Sequence, residues 1–445
     1  MSNRPRSGLS RTVNTLVQAL VAGVARLDKS FSPALTFNRL AKHHFTASDS
    51  IYLFHILNAA FWLILMQAPG FPLKLAIPVL WTLALLIPFT SQFFVPASPV
   101  FMWLITYYSS RFIPTSWRPD ISVSLLPTLE SVLYGANISD ILTRFTHPIL
   151  DIIAWLPYGV GHFVIPFFVA AFLWLFRTKE SLRLWARVFG YLNFWGVVIQ
   201  IFFPCSAPWY ELIHGLTPAN YTMKGSPGGL ARIDALLHSS TYTVGFSNAP
   251  VVFGAFPSLH AACATIEALF LAHFFPDTAR YVWIYAGVLY WATMYLTHHY
   301  LIDVVGGACL AIAFFYLFLP DELRGEGALA PPGGLHTRSQ RSKYEIYDLE
   351  DPVRRTGSMF DGSAFDVSEA SSDEEVDITY RSPNPNSTPG AAAAGVTREQ
   401  GKKSHRHTAS IASLIRGGER SAEDGWSPVA SAFSATPRER SKDRD

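Results

Sequence analysis

The chain has 445 residues, a mean hydropathy of +0.22 and 14% aromatic residues. Its formal net charge is only +2, with 35 Lys and Arg against 33 Asp and Glu, so it carries no electrostatic footprint for nucleic acid. The charges are unevenly placed: residues 51–319 hold only 11 of the basic and 10 of the acidic residues, which excludes a soluble globular domain. With repeated apolar runs of about 17–20 residues, that block predicts an all-α, polytopic membrane helix bundle.

Residues 1–50 carry seven Lys and Arg against Asp28 and Asp49. They read as a basic cytosolic segment with a short amphipathic helix near 11–27 and no cleavable signal peptide. Eight spans are expected in a membrane-embedded domain, residues 51–320, at 51–67, 72–90, 97–113, 158–177, 184–204, 258–275, 280–297 and 301–319. Arg177, Lys179 and Arg183 make the turn between the fourth and fifth spans cytosolic. By parity, 114–157 and 205–257 are then lumenal, and both termini are cytosolic. The sequons at Asn137 and Asn220 fall in those lumenal loops.

The 205–257 loop is unusually apolar, with Trp209, Tyr210, a Gly225–Gly229 breaker and the run TVGFSNAPVVFGAF. Two readings are open: it covers the site and lines an access path for acyl chains, or it packs on neighbouring spans. After Pro320 the composition turns polar, with 17 basic and 21 acidic residues, Ser- and Pro-rich tracts and an AAAA run. Residues 321–445 are expected to be a disordered cytosolic tail. The three cysteines, Cys205, Cys263 and Cys309, have no disulfide or metal spacing.

The chemistry concentrates at the ends of the sixth and eighth spans. His260 closes the run Phe256-Pro257-Ser258-Leu259-His260, and His299 opens His299-Tyr300-Leu301-Ile302-Asp303. A hairpin of two spans brings its outer ends to one membrane face, so the two histidines should meet. His299 and Asp303 are four residues apart, so a helix starting near His299 puts both on one face. The carboxylate then accepts the Nδ1–H and leaves Nε2 free to attack. His298 is out of register with Asp303 and is expected to point elsewhere. His260 is placed to give and take the proton of an oxygen leaving or attacking group. Ser258, before a helix N-terminus, suits a phosphate oxygen.

Three further residue groups are candidates for substrate contact. Arg111 and Arg118 flank a short turn on the histidine face, where guanidinium forks suit a phosphodiester. Glu267 lies seven residues after His260 inside a span, where an ionisable group is a functional candidate; a structural hydrogen bond is the plainer reading. His162, near the lumenal end of the fourth span, is a candidate substrate contact, and Asp120 and Asp151 are weaker candidates for substrate hydroxyls.

In this order the clusters resemble the type 2 phosphatidic acid phosphatase superfamily, whose pattern is Lys-x6-Arg-Pro, then Pro-Ser-Gly-His, then Ser-Arg-x5-His-x3-Asp. Here the first reads Arg111-x6-Arg118-Pro119, the second has Leu259 for Gly, and the third keeps His299-x3-Asp303 but has Ala292-Thr293 for Ser-Arg. That last departure leaves one phosphate-binding Arg without a counterpart and argues for a phosphodiester over a phosphomonoester. FGAFPSLHAACATIEALF, MYLTHHYLIDVVGG, RFIPTSWRPDI and PYGVGHF more narrowly resemble the fungal inositol phosphorylceramide synthases, and the HHYxxD stretch is similar to sphingomyelin synthases.

The resemblance covers about 50–320. It implies transfer of inositol phosphate from phosphatidylinositol to the primary hydroxyl of ceramide, releasing diacylglycerol through a phosphohistidine. His299, Asp303 and His260 would carry the reaction, and Arg111, Arg118 and Ser258 would hold the phosphoryl oxygens. No metal or other cofactor is called for. The resemblance also implies a multi-pass Golgi membrane location, a lumenal active site and a small regulatory membrane subunit as partner. A lipid phosphate phosphatase using water as acceptor and a catalytically silent lipid-binding scaffold are the alternatives.

Overall fold

The computed structural model describes residues 8–333. The chain divides into two units, Met1–Arg354 and Arg355–Asp445, and every described residue belongs to the first. Of the expected disordered tail, residues 334–445 lie outside the described residues, whereas its start is ordered: Asp321–Leu323 and Gly325–Leu329 form short 3-10 turns, because Leu323 and Ala328 are buried in the main apolar cluster of the bundle.

Two helices precede the bundle, α1 (Gly8–Ala25) and α2 (Pro33–Ala41). The first covers the amphipathic stretch expected near 11–27. Then come α3 (Ser50–Leu65), α4 (Leu73–Leu86), α5 (Pro88–Phe94) and α6 (Ser98–Ser109). Three short helices follow, α7 (Leu125–Tyr134), α8 (Ile138–Thr143) and α9 (Pro148–Trp155). Gly135 ends α7 in the left-handed region, at φ 77°, where a side chain would be strained. Next are α10 (His162–Phe176), α11 (Lys179–Phe202), α12 (Pro208–His214), α13 (Leu230–Leu236) and α14 (Thr241–Ser247). The chain closes with α15 (Leu259–Phe274), α16 (Ala279–Tyr295) and α17 (Leu301–Phe318).

Helices stand at all eight expected span positions, with two differences. The second breaks at Ile87–Pro88, and α4 and α5 meet at 108°. Pro88 supplies no N–H and pushes Ile87 into an extended conformation, so the helix cannot run through. The fourth is longer than expected, because α9 continues into α10 through a π-helical turn, Leu156–Gly161. By length and composition, Ala47–Leu65, Pro148–Phe176 and Leu301–Phe318 each suffice to cross a membrane.

The bundle packs through small residues, as expected where lipid removes the hydrophobic drive between helices. Ala261, Ala262, Cys263, Ala264 and Ala268 on α15 are all buried. They let α16 and α17 approach on either side. At Gly307 a Cβ would overlap the carbonyl oxygen of Ser258, so α17 runs directly against the start of α15. At Gly190 a Cβ would overlap the backbone of Pro99, which marks the crossing of α11 and α6. The largest apolar cluster joins Leu173 of α10, Trp185 and Leu192 of α11, Ile266 and Phe270 of α15, and Phe315 of α17.

Over one end of the bundle, three extended segments meet around Cys205. Its N–H donates to the Phe253 carbonyl (2.8 Å) and its carbonyl accepts from Ala255 N–H (3.3 Å), while Ser206 N–H donates to the Ser122 carbonyl (3.0 Å). Trp209, Tyr210 and Phe253 are buried beneath this seam. The apolar loop thus packs on its neighbours and, through residues 241–255, also lines the cleft described next.

Candidate active site

A cleft of about 1840 Å³ runs between α6, α10 and α11, and His162, His260, His298 and His299 gather at one end of it. His260 sits in the first turn of α15, which Ser258 caps: its Oγ accepts the Ala261 N–H at 3.2 Å. His299 lies just before α17. The turn into it passes Thr297 at φ 65°, and the N–H groups of His298 and His299 both reach back to the Thr293 carbonyl, at 3.0 and 3.3 Å. This tight reversal puts consecutive histidines against the same space. His260 Nδ1 is 3.3 Å from His299 Nε2.

The orientation of His299 differs from the helical-face expectation, because α17 starts two residues after it. Its Nδ1 lies 3.0 Å from the Ala255 carbonyl and 3.6 Å from Asp303 Oδ2. The carbonyl is the hydrogen-bond acceptor, and the carboxylate is an electrostatic neighbour just beyond that range. The outcome for the ring is the one the carboxylate was expected to give: a proton on Nδ1 and a lone pair on Nε2. Asp303 is fully buried, and its Oδ2 accepts the Tyr300 N–H at 2.8 Å. Its backbone carbonyl accepts the Ser258 N–H at 3.0 Å, tying the two histidine-bearing helix starts together.

His298 does not point away. Its ring stacks between Tyr158 (5.4 Å) and Phe246 (4.5 Å), and Nε2 meets the Pro227 carbonyl at 3.1 Å. Burial, then the neighbouring His299, push its imidazole down to about 3, so it stays neutral and donates. Tyr158, placed by the π-helical turn, also stacks on His260 at 4.3 Å. His162 lies 4.5 Å from the His260 ring, and its Nδ1 is buried without a hydrogen-bond partner among the described residues.

The other expected substrate contacts lie outside this cleft. Ser258 is fully buried and does not line it; its hydroxyl oxygen serves as the cap of α15. Glu267 also does not line it, facing Tyr285 and Cys263 between α15 and α16. Arg111 and Arg118 line a separate pocket of about 170 Å³. That pocket shares Gln200 and residues 249–252 with the cleft as a common wall. Arg118 donates to the carbonyls of Ile113 (3.0 Å), Ser110 (3.1 Å) and Arg111 (2.9 Å) and lies over the Tyr221 ring. Arg111 lies over Tyr108. Asp151 is taken up by Arg232 (2.7 Å) and the Tyr295 hydroxyl (2.8 Å), and Asp120 is exposed. Thr293, where the superfamily pattern has Arg, is buried and donates its hydroxyl to the Tyr290 carbonyl.

Sequence reasoning missed Ala255, Tyr158 and Glu130. Glu130 on α7 is fully buried; one carboxyl oxygen accepts the Leu301 N–H at 3.0 Å and the other has no partner. Burial, with Asp303 and Glu211 nearby, pushes it up to about 7. It anchors the start of α17 beside Asp303, while Tyr300 donates to Glu211 at 2.8 Å. A lone Glu in a short apolar helix of a loop, with no partner at helical spacing, carries no sequence signal for this position.

Comparison with known proteins places these residues in context. The family model described as the PAP2 superfamily matches residues 126–317, which include the histidine cluster and exclude Arg111 and Arg118. The chain is 51% identical over 309 residues to the inositol phosphorylceramide synthase catalytic subunit of Schizosaccharomyces pombe, covering 69% of this chain and 73% of that one. It is 43% identical over 301 residues to the corresponding subunit of Saccharomyces cerevisiae, covering 67% and 75%. It is also 27% identical over 282 residues to a phosphoinositol dihydroceramide synthase of Bacteroides thetaiotaomicron, covering 59% and 83%. No solved structure matches the chain significantly. The chain belongs to the inositol phosphorylceramide synthase catalytic subunit family, within the PAP2 superfamily.

Proposed function

We propose that this protein transfers phosphoinositol from phosphatidylinositol to the primary hydroxyl of ceramide, releasing diacylglycerol, by double displacement through a phosphohistidine. The observation that carries the reading is the His260 Nδ1–His299 Nε2 pair, 3.3 Å apart at the inner end of a lipid-sized cleft. The Ala255 carbonyl holds the His299 proton on Nδ1, so Nε2 is the nucleophile. The two rings part to admit the phosphodiester between them.

His299 Nε2 attacks phosphorus as the bond to the diacylglycerol oxygen breaks. His260, protonated, delivers its proton to that oxygen. His260, now neutral, removes the proton of the ceramide hydroxyl, whose oxygen attacks phosphorus and expels His299. Asp303 stabilises positive charge on His299 from 3.6 Å. Arg111 and Arg118 contribute positive potential across the shared wall, and His162 contacts the headgroup or ceramide from the cleft. Ser258 and Glu267 act by positioning α15. The site faces the lumen of the Golgi membrane, both termini are cytosolic, and a small regulatory membrane subunit accompanies the chain.

The test is acceptor-dependent turnover. Purified protein receives phosphatidylinositol and fluorescent ceramide beside a His299→Ala control, and the products are resolved. An inositol-phosphate-bearing ceramide that disappears in the variant is expected. Free inositol phosphate beside unchanged ceramide would instead establish a hydrolase.

A further inference from the structure

The end of the cleft remote from the histidines has its own chemistry. Lys179, Arg183 and Arg187 recur every four residues along α11 and so share one helical face. All three are exposed and line the cleft. Among the described residues, none of them has a carboxylate within ion-pair distance. The other cations at this end are engaged. Arg26 donates to the Trp174 carbonyl (2.9 Å), Arg177 to the Phe274 carbonyl (2.8 Å), and Arg39 pairs with Asp28 (2.8 Å). Glu180 is the remaining carboxylate lining this end.

Just below the cations the wall offers a donor without an acceptor. Trp103 of α6 packs on Phe189, ring centroids 5.9 Å apart, only two residues past Arg187. The Trp103 side chain lines the cleft, and its Nε1 is buried with no hydrogen-bond partner. Beyond it the cleft is walled by apolar and aromatic side chains and continues to Gln200 and the histidines. Arg187 and Gln200 are thirteen residues apart on one helix, about 20 Å at 1.5 Å per residue. A phosphate held by Arg187 is therefore far from His299 and is not the reacting group.

We propose that this end of the cleft binds a second lipid, an anionic glycerophospholipid of the leaflet opposite the histidines. Its phosphate lies on Lys179, Arg183 and Arg187, a glycerol ester carbonyl accepts from Trp103 Nε1, and its acyl chains extend along the cleft between α6, α10 and α11. The cleft, at about 1840 Å³, exceeds the roughly 300–1,000 Å³ of a pocket for a drug-sized ligand and suits such an occupant.

The experiment is lipid retention by the full chain, purified from detergent containing equal phosphatidylserine and phosphatidylcholine, read by native mass spectrometry. Phosphatidylserine is not the proposed phosphoinositol donor, so the result stands apart from the transferase reading. The wild-type chain should retain phosphatidylserine in preference, and glycerophosphoserine, which has no chains, should not displace it. Replacing the three exposed cations together, Lys179→Gln, Arg183→Gln and Arg187→Gln, should weaken retention by about 100-fold, since each basic side chain contributes roughly fivefold near an anionic lipid. Trp103→Phe keeps the ring, removes the donor and should weaken retention by a smaller factor. Equal retention of both lipids by the wild-type chain would overturn the proposal. So would loss in the triple variant with none in Trp103→Phe, which would reduce the stripe to a diffuse surface charge.

Discussion

The histidine end of the cleft and the arginine pocket beside it share a wall, Gln200 and residues 249–252, yet they are built in opposite ways. The histidines hang from helix starts and a tight reversal, three of them stack on or beside one another, and the ring nitrogens of His260, His298 and His299 face carbonyls or each other. The arginines hang from a loop, lie over single tyrosines, and Arg118 spends its donors on the carbonyls of its own turn. Arg118 thus has its donors engaged by its own turn, whereas His299, with its Nδ1 on the Ala255 carbonyl, keeps a lone pair on Nε2, which suits the proposed attack on phosphorus.

The comparison is most exposed to a loss at the histidine end. His260→Ala leaves His299 anchored by the Ala255 carbonyl but removes the proton carrier, and kcat should fall by about 10²–10⁴. Steady-state turnover across pH checks this; an unchanged kcat would put proton transfer elsewhere. Next in size is Gly307→Ala. The new Cβ overlaps the Ser258 carbonyl and pushes α17 off the start of α15, so the protein should stay folded by size exclusion while kcat drops roughly 10²-fold. Wild-type turnover in that variant would show that the crossing does not set the distance between His260 and His299.

Glu130→Gln sharpens the electrostatic side. Glu130 titrates near 7 in the folded chain against an ordinary value of 4.5. The native state therefore holds this proton more tightly than the unfolded state. Its stabilising contribution is complete below the ordinary carboxylate range and is lost as pH rises through 7, by about 3 kcal/mol at most. Gln keeps an acceptor for the Leu301 N–H and has no charge to bury, so its thermal midpoint should not fall between pH 5 and 8 as the wild-type one does. Parallel pH curves for the two proteins would rule this out. The smallest effect belongs to the arginine pocket: Arg118→Lys keeps the charge but not three carbonyl bonds, and should cost about 1 kcal/mol of stability with kcat nearly unchanged. A collapse of kcat in Arg118→Lys would mean its fork grips substrate.

Much of the fold was legible in the sequence because membrane burial writes itself into composition. Eight apolar stretches became eight helices, and the one with a proline after Ile87 broke there. The meeting of His260 and His299 followed from hairpin parity alone. What failed was local register: α17 starts at Leu301, so His299 turns to a loop carbonyl that no spacing rule reveals. Ser258 and Glu267 carried plausible chemistry, but helix capping and the α15–α16 contact took them out of the cleft.

The sequence by itself determined the membrane bundle and that His260 and His299 meet at one end of it, because hydropathy and the order of the apolar stretches are properties of the chain. Only the tertiary structure decided which atom orients His299, that Glu130 anchors α17, and that the arginines stand behind a wall. Those depend on loops of 205–257 and 114–157 packing against helix starts distant in sequence, and such contacts leave no periodic trace along the chain.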